Sequence, residues 1–210
     1  MLKKYRSIKS ILFPSKKLNI FILSIIILGI ILGSIFSTNI TQNDKNLVIE
    51  KIKLFITNIS DNSLNTITSF KNSISINLIY IIIIWILGMT LIGIPINTFL
   101  LFIKNFILGF SLSSFILTYS YKGLILSSIY LIFGELLTII ILSILTTYSI
   151  IFSSKLLKHI FKSNNPNEIP KYLKNYSLIF VISIILCLIS SISESFLVPT
   201  LVKLIIKLYI

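Results

Sequence analysis

Alanine is absent from all 210 residues, and the chain holds only six acidic residues, one cysteine, one histidine and one tryptophan. Each shortage removes a class of protein. A single cysteine, Cys187, excludes an intrachain disulfide framework, so the thiol content says nothing of redox compartment. A single histidine, His159, gives no basis for a His-built metal site, and no metal or cofactor is expected. Charged residues make up only 12% of the chain, too few to cover the surface of a soluble domain of this length. No phosphate loop, HExxH or nucleophile elbow is present. Serines are plentiful, but none has a histidine partner near membrane depth. Their default role is a hydrogen bond to the preceding helical turn. No enzyme active site is expected.

What is present is apolar and basic. Hydrophobic residues make up 55%, the mean hydropathy is +1.00, and 19 Lys+Arg against six acids give a formal charge of +13. A basic excess suits nucleic acid or the anionic face of a membrane. Here Lys and Arg flank long apolar blocks and form no aromatic-interleaved patch, so the partner is the lipid bilayer and not nucleic acid. The expected fold class is all-α, a polytopic integral membrane protein of about five transmembrane helices, each needing ~20 apolar residues. Residues 1–210 form a single membrane domain.

Residues 1–17 are a basic N-terminal segment with Lys3, Lys4, Arg6, Lys9, Lys16 and Lys17. The apolar run 18–37 follows without an alanine-type cleavage site and is expected as an uncleaved first span. Gly29 and Gly33 in it form a GxxxG. That spacing either allows close backbone approach to another helix, including a second copy in a homo-oligomer, or reflects the ordinary glycine content of membrane helices. Residues 38–73 form an outer loop. Within it Asp44 caps a short amphipathic helix over 46–60, with Ile52, Phe55, Ile56 and Ile59 on one face. That face rests on the membrane, on a partner, or on the protein's own spans.

Residues 72–103 carry no charge, and Gly93-Ile94-Pro95 interrupts them, since proline lacks the N–H a helix interior needs. Further spans are therefore expected over 78–94, 99–119, 124–152 and 176–199, with turns at 95–98 and at Tyr121-Lys122-Gly123. The loop 153–175, with Pro166 and Pro170, carries five lysines against Glu168 and is cytoplasmic. Eleven Lys/Arg in the segments on the N-terminal side, against seven on the other, place the N-terminus in the cytoplasm and the C-terminus outside. The expected location is the cell membrane, multi-pass.

Three ionisable residues fall within spans: Lys104, Glu135 and Glu194. An ionised group near the bilayer centre costs at least ~2.5–3.5 kcal/mol on insertion scales, so each needs a partner or a purpose. Lys104 either snorkels to headgroups or pairs with Glu135 on the next, antiparallel helix. A structural pair, a polar contact to another protein, and an ion or proton pathway remain open.

Gly93-Ile94-Pro95, then Phe102-Ile103-Lys104-Asn105-Phe106-Ile107-Leu108-Gly109-Phe110, then Lys122-Gly123, resembles the stage II sporulation protein M family. Members have G-x-P, a K-G-F-x-x-G-F stretch and a Lys-Gly turn; Asn105 here replaces the first glycine of the central motif. Glu194, Phe196 and Pro199 resemble the family's Glu-aromatic-Pro ending. The resemblance covers essentially the whole chain. One departure is Phe133-Gly134-Glu135, where members often carry a proline-polar element. The resemblance implies a membrane scaffold for engulfment during endospore formation. Its partners would be two peptidoglycan hydrolases, a lytic transglycosylase and an amidase/endopeptidase. The departure keeps a family relative serving circular-bacteriocin export or immunity as an alternative. A small transporter or channel using Lys104, Glu135 and Glu194 is another.

Overall fold

The computed structural model describes residues 15–61, 63–162 and 169–209. Lys3, Lys4, Arg6, Lys9, Pro166 and Glu168 lie outside the described residues. Every regular element among the described residues is helical: α1 (Lys16–Asn39), α2 (Gln42–Ser60), α3 (Thr66–Gly88), α4 (Gly93–Ile129), α5 (Leu136–Lys162), α6 (Ile169–Ile192) and α7 (Val198–Tyr209). Two π-helical segments, Tyr130–Glu135 and Ser193–Leu197, join α4 to α5 and α6 to α7 without a break.

Among the described residues four helical stretches are long and apolar enough to cross a membrane. The third, Gly93–Phe161, doubles back. Ser120 interrupts α4 with φ 50° and ψ −122°, backbone values like those of the first central position of a type II′ turn, where glycine is usual. Beyond it the chain runs antiparallel to its first limb. Asn97 meets Ser149, Lys104 meets Glu135, and the rings of Phe115 and Tyr130 lie 6.2 Å apart. The reversal therefore sits one residue before the expected Tyr121-Lys122-Gly123. Gly123 enables it, because a Cβ there would lie 2.1 Å from the Phe115 carbonyl oxygen. The bundle thus has five long limbs in an all-α arrangement.

Several expected boundaries are corrected. α3 starts at Thr66, capped by Asn65 accepting from the Thr68 N–H at 3.1 Å, and ends at Gly88. The helix thus both begins and ends before the expected span 78–94 does. Gly93-Ile94-Pro95 does not interrupt a span. It opens α4, after a turn over 89–92 rather than at 95–98, because the first helical turn has no N–H bonds for proline to remove. The helix expected over 124–152 runs to Lys162, and α6 begins at Ile169 with Pro170 in its first turn. The polar loop expected at 153–175 shrinks accordingly. Asp44 is not the cap of α2. Thr41 is, accepting from the Asp44 N–H, while the Asp44 carboxylate accepts from the Thr41 hydroxyl at 2.6 Å and so holds the capping side chain in place.

The buried face of α1 is the stripe Ile22, Ile26, Gly29, Gly33 and Ser37, at helical spacing. Leu23, Ile27, Ile31 and Phe36 on its other faces are exposed. That much open apolar surface is intelligible only against lipid. The glycines let α1 lie backbone to backbone against the first limb of α4. Added Cβ atoms at Gly33 and Gly109 would sit 2.0 and 2.1 Å from the carbonyl oxygens of Phe106 and Ile30. Ser34 donates across the contact to the Gly109 carbonyl at 3.1 Å, and Ser37 to the Ser113 hydroxyl at 2.7 Å.

At the bundle end that holds Lys16 and the 89–92 turn, side chains of other limbs add hydrogen bonds to the carbonyls of α3's last turns. The fully buried Tyr176 donates to Ile84 and lies 3.1 Å from the Trp85 carbonyl, Asn97 donates to Ile84, and Ser153 donates to Gly88. The opposite end holds α2, the Ser120 reversal and α7. There Ile56 and Ile59 of α2 pack with Phe115, Leu126, Val198 and Val202, so the apolar stripe of α2 rests on the protein's own limbs. α7 lies almost wholly beyond the last expected span, 176–199. It continues α6 as a strongly amphipathic helix whose Val198 and Val202 are buried and whose Lys203 is exposed.

Candidate functional site

The intramembrane charges converge. Lys104 on α4 reaches the Glu135 Oε1 at 3.3 Å and donates to the Asn77 Oδ1 of α3 at the same distance. Its ammonium also lies 5.9 Å from the ring centre of Tyr80. The Lys104 side chain is only 12% exposed, so it does not snorkel. Antiparallel pairing of the two α4–α5 limbs sets this contact, and Asn77 arrives from α3 with its amide oxygen free to accept.

Glu135 ends the first π segment, and Glu194 lies in the second. Tyr130 donates its one hydroxyl hydrogen to Glu135 at 3.2 Å and lines the same pocket as Glu194. Ser73 of α3 donates to the Glu194 carboxylate at 2.5 Å. Each helical distortion is tied to the other. Ser193 donates to the Phe133 carbonyl at 2.5 Å, Ser190 to the Gly134 carbonyl at 3.5 Å, and the hydroxyls of Ser190 and Thr138 lie 2.8 Å apart. π-bulges weaken helical hydrogen bonding and recur at functional sites. Three buried oxygens here have no partner among the described residues: the Glu135 Oε2, the Ser191 Oγ and the Ser195 Oγ.

Beside this cluster a cavity of about 480 Å³ opens between α2 and the limbs. Leu47, Ile52 and Phe55 of α2 and Phe110 and Phe115 of α4 line its apolar walls. Ser69, Ser111, Ser114, Tyr130, Glu194 and Ser195 supply its polar lining, and Pro199 and the exposed Lys51 also border it.

Of the residues singled out in the sequence, Lys104, Glu135 and Glu194 come together. Pro199 is at the cavity. Gly29, Gly33 and Gly109 form the α1–α4 contact. Gly93 and Pro95 lie at the 89–92 turn, where Gly93 packs under α3: a Cβ there would be 2.1 Å from the Leu87 carbonyl oxygen. Sequence reasoning missed Tyr130, Asn77, Ser73 and Ser195. Asn77 carried a usable signal, an amide amid an apolar run, whereas Tyr130 looks like any aromatic of a span. Among the described residues no group of three or more His, Cys, Asp or Glu side chains is placed to hold a metal ion. What the arrangement can do is hold charge at membrane depth: Lys104 pairs with Glu135, and a phenol and several hydroxyls surround the two carboxylates.

The model of the Stage II sporulation protein M family matches residues 20–199. No curated protein and no solved structure matches the chain.

Proposed function

Because the chain belongs to the Stage II sporulation protein M family, we propose that it is a non-enzymatic, multi-pass scaffold of the cell membrane. It would anchor peptidoglycan-degrading partners, the hydrolases of the engulfment machinery, during endospore formation. The observation that carries the docking part of this reading is α2. Its Ile56 and Ile59 pin it to the bundle, while Asn46, Glu50, Lys53, Leu54 and Thr57 stay exposed along a shallow groove. A helix fixed by one face and mixed polar-apolar on the other is a ready contact surface, since only complementarity remains to be supplied. The Lys/Arg bias of the sequence, eleven in the segments on the N-terminal side against seven on the other, supports an orientation with the N-terminus in the cytoplasm and α2 and the C-terminus outside.

The test is a pull-down of the tagged, full-length protein solubilised from sporulating cells. Peptidoglycan hydrolases should co-purify and be lost when residues 42–60 are replaced by a neutral linker. Their retention would remove α2 as the surface. Their absence from both samples would overturn the scaffold, and an ATPase subunit or peptide precursor in their place would indicate bacteriocin export or immunity.

A second reading rests on the Lys104–Glu135–Glu194 cluster, which suits ion or proton movement. It requires flux through proteoliposomes that Glu135→Gln abolishes while membrane insertion is unchanged.

A further inference from the structure

We propose that the cavity beneath α2 is a binding site for an amphiphile bearing a primary ammonium on an apolar chain, with Glu194 as its counter-ion. The first reason is charge. Two carboxylates and one lysine meet at the buried cluster, and the Lys104 ammonium is committed to Glu135 at 3.3 Å. Glu194 has a hydroxyl donor in Ser73 but no ion pair with a Lys or Arg among the described residues. An anion at that depth is stabilised strongly by any cation that reaches it.

The second reason is an unused acceptor beside it. Ser195, 2% exposed, lines the same cavity, and its hydroxyl has no partner among the described residues. A buried polar atom without a partner costs free energy that a ligand N–H would recover. The third is shape. Leu47, Ile52, Phe55, Phe110 and Phe115 make walls that suit an aliphatic chain and offer nothing to a hydrated ion. A cation alone would leave those walls empty, and a neutral chain would leave Glu194 and Ser195 unmatched. An alkylammonium satisfies both, its three N–H donors facing a carboxylate and a hydroxyl.

Full-length protein in lipid nanodiscs would be photolabelled with a diazirine-bearing dodecylammonium, with the matched dodecanol as control, and adducts mapped by mass spectrometry. Saturable adducts are expected on cavity residues such as Phe110, Phe115 and Val198, displaced by unlabelled dodecylammonium. The dodecyltrimethylammonium ion, which has no N–H donor, should compete poorly. Loss of one charge-assisted contact corresponds to roughly a tenfold or greater weakening. Glu194→Gln should show that loss, and Ser195→Ala a smaller one in the same direction without touching the charge. Equal cavity labelling by the alcohol, or undiminished labelling in both variants, would overturn the proposal. So would non-saturable labelling spread over the lipid-facing surface.

Discussion

Replacing Gly33 by alanine adds one methyl group where the backbone of α4 already stands. The new Cβ would lie 2.0 Å from the Phe106 carbonyl oxygen, 2.8 Å from its carbon and 2.9 Å from the Phe110 nitrogen. Comfortable non-bonded contacts are ~3.5–4.0 Å, so α1 must retreat by about 1.5 Å. All three atoms belong to helical backbone and cannot swing aside as a side-chain end would. The retreat also stretches the Ser34–Gly109 and Ser37–Ser113 hydrogen bonds. Overpacking costs about 1–3 kcal/mol, and each interhelical hydrogen bond in a membrane adds ~0.6 kcal/mol. The better helix propensity of alanine returns ~1 kcal/mol. The expected net loss is ~1–3 kcal/mol in a reversible SDS-unfolding titration of the full chain in mixed micelles. Gly134 is the internal control. A Cβ there meets nothing closer than 3.5 Å, so Gly134→Ala should be neutral or stabilising by up to ~1 kcal/mol. Equal stability of Gly33→Ala and the parent, or equal damage from the two substitutions, would refute the backbone-to-backbone contact.

The Lys104–Glu135 pair predicts a non-additive cycle in the same assay. Lys104→Met alone strands a buried carboxylate and should cost ~3–5 kcal/mol, whereas adding Glu135→Leu should recover most of that loss. Additive losses would show that the two side chains do not meet. At the α4 reversal, Ser120→Gly should stabilise by ~0.4–1 kcal/mol, because the native φ of 50° is free to glycine and strained for serine. A destabilised Ser120→Gly would argue against that turn geometry.

How much of this was legible in the sequence depended on which force decides each feature. Apolar periodicity and charge placement report burial against lipid, so the class, the stripe of α2 and the set of intramembrane charges could be read from residues such as Ile52, Ile56, Lys104 and Glu135. Helix ends could not, because they depend on caps and turns rather than on hydropathy. Asn65 starts α3 well before the apolar run begins, and Pro95 opens a helix that a breaker rule takes as a gap. The amphipathic α7 was missed because its four-residue apolar spacing, Val198 to Val202, starts at the proline taken for the end of a span. The candidate site was half legible for a related reason. An acid in an apolar run announces itself, but Tyr130 and Ser73 become partners of acids only once three helices are packed.

The serines of residues 190–195 show the limit most sharply. On the sequence they form one low-information run, each hydroxyl ascribed to its own helix. In lipid no water can repair a helical carbonyl that a π segment leaves poorly bonded. Ser190 and Ser193 turn to the carbonyls of Gly134 and Phe133, and so couple the distortion in one helix to the distortion in its neighbour. Ser191 and Ser195 face the interior with their hydroxyls unpartnered. The run therefore divides into a pair that holds two bent helices together and a pair left with unused hydrogen-bonding capacity. Ser195 lies next to Glu194 at an open cavity, so its unused hydroxyl stands where an incoming donor would be recognised. Ser191 does not line that cavity, and Ser191→Ala should leave ammonium labelling unchanged while Ser195→Ala weakens it. If the two substitutions behaved alike, the hydroxyls would be acting on helix packing and not on a ligand.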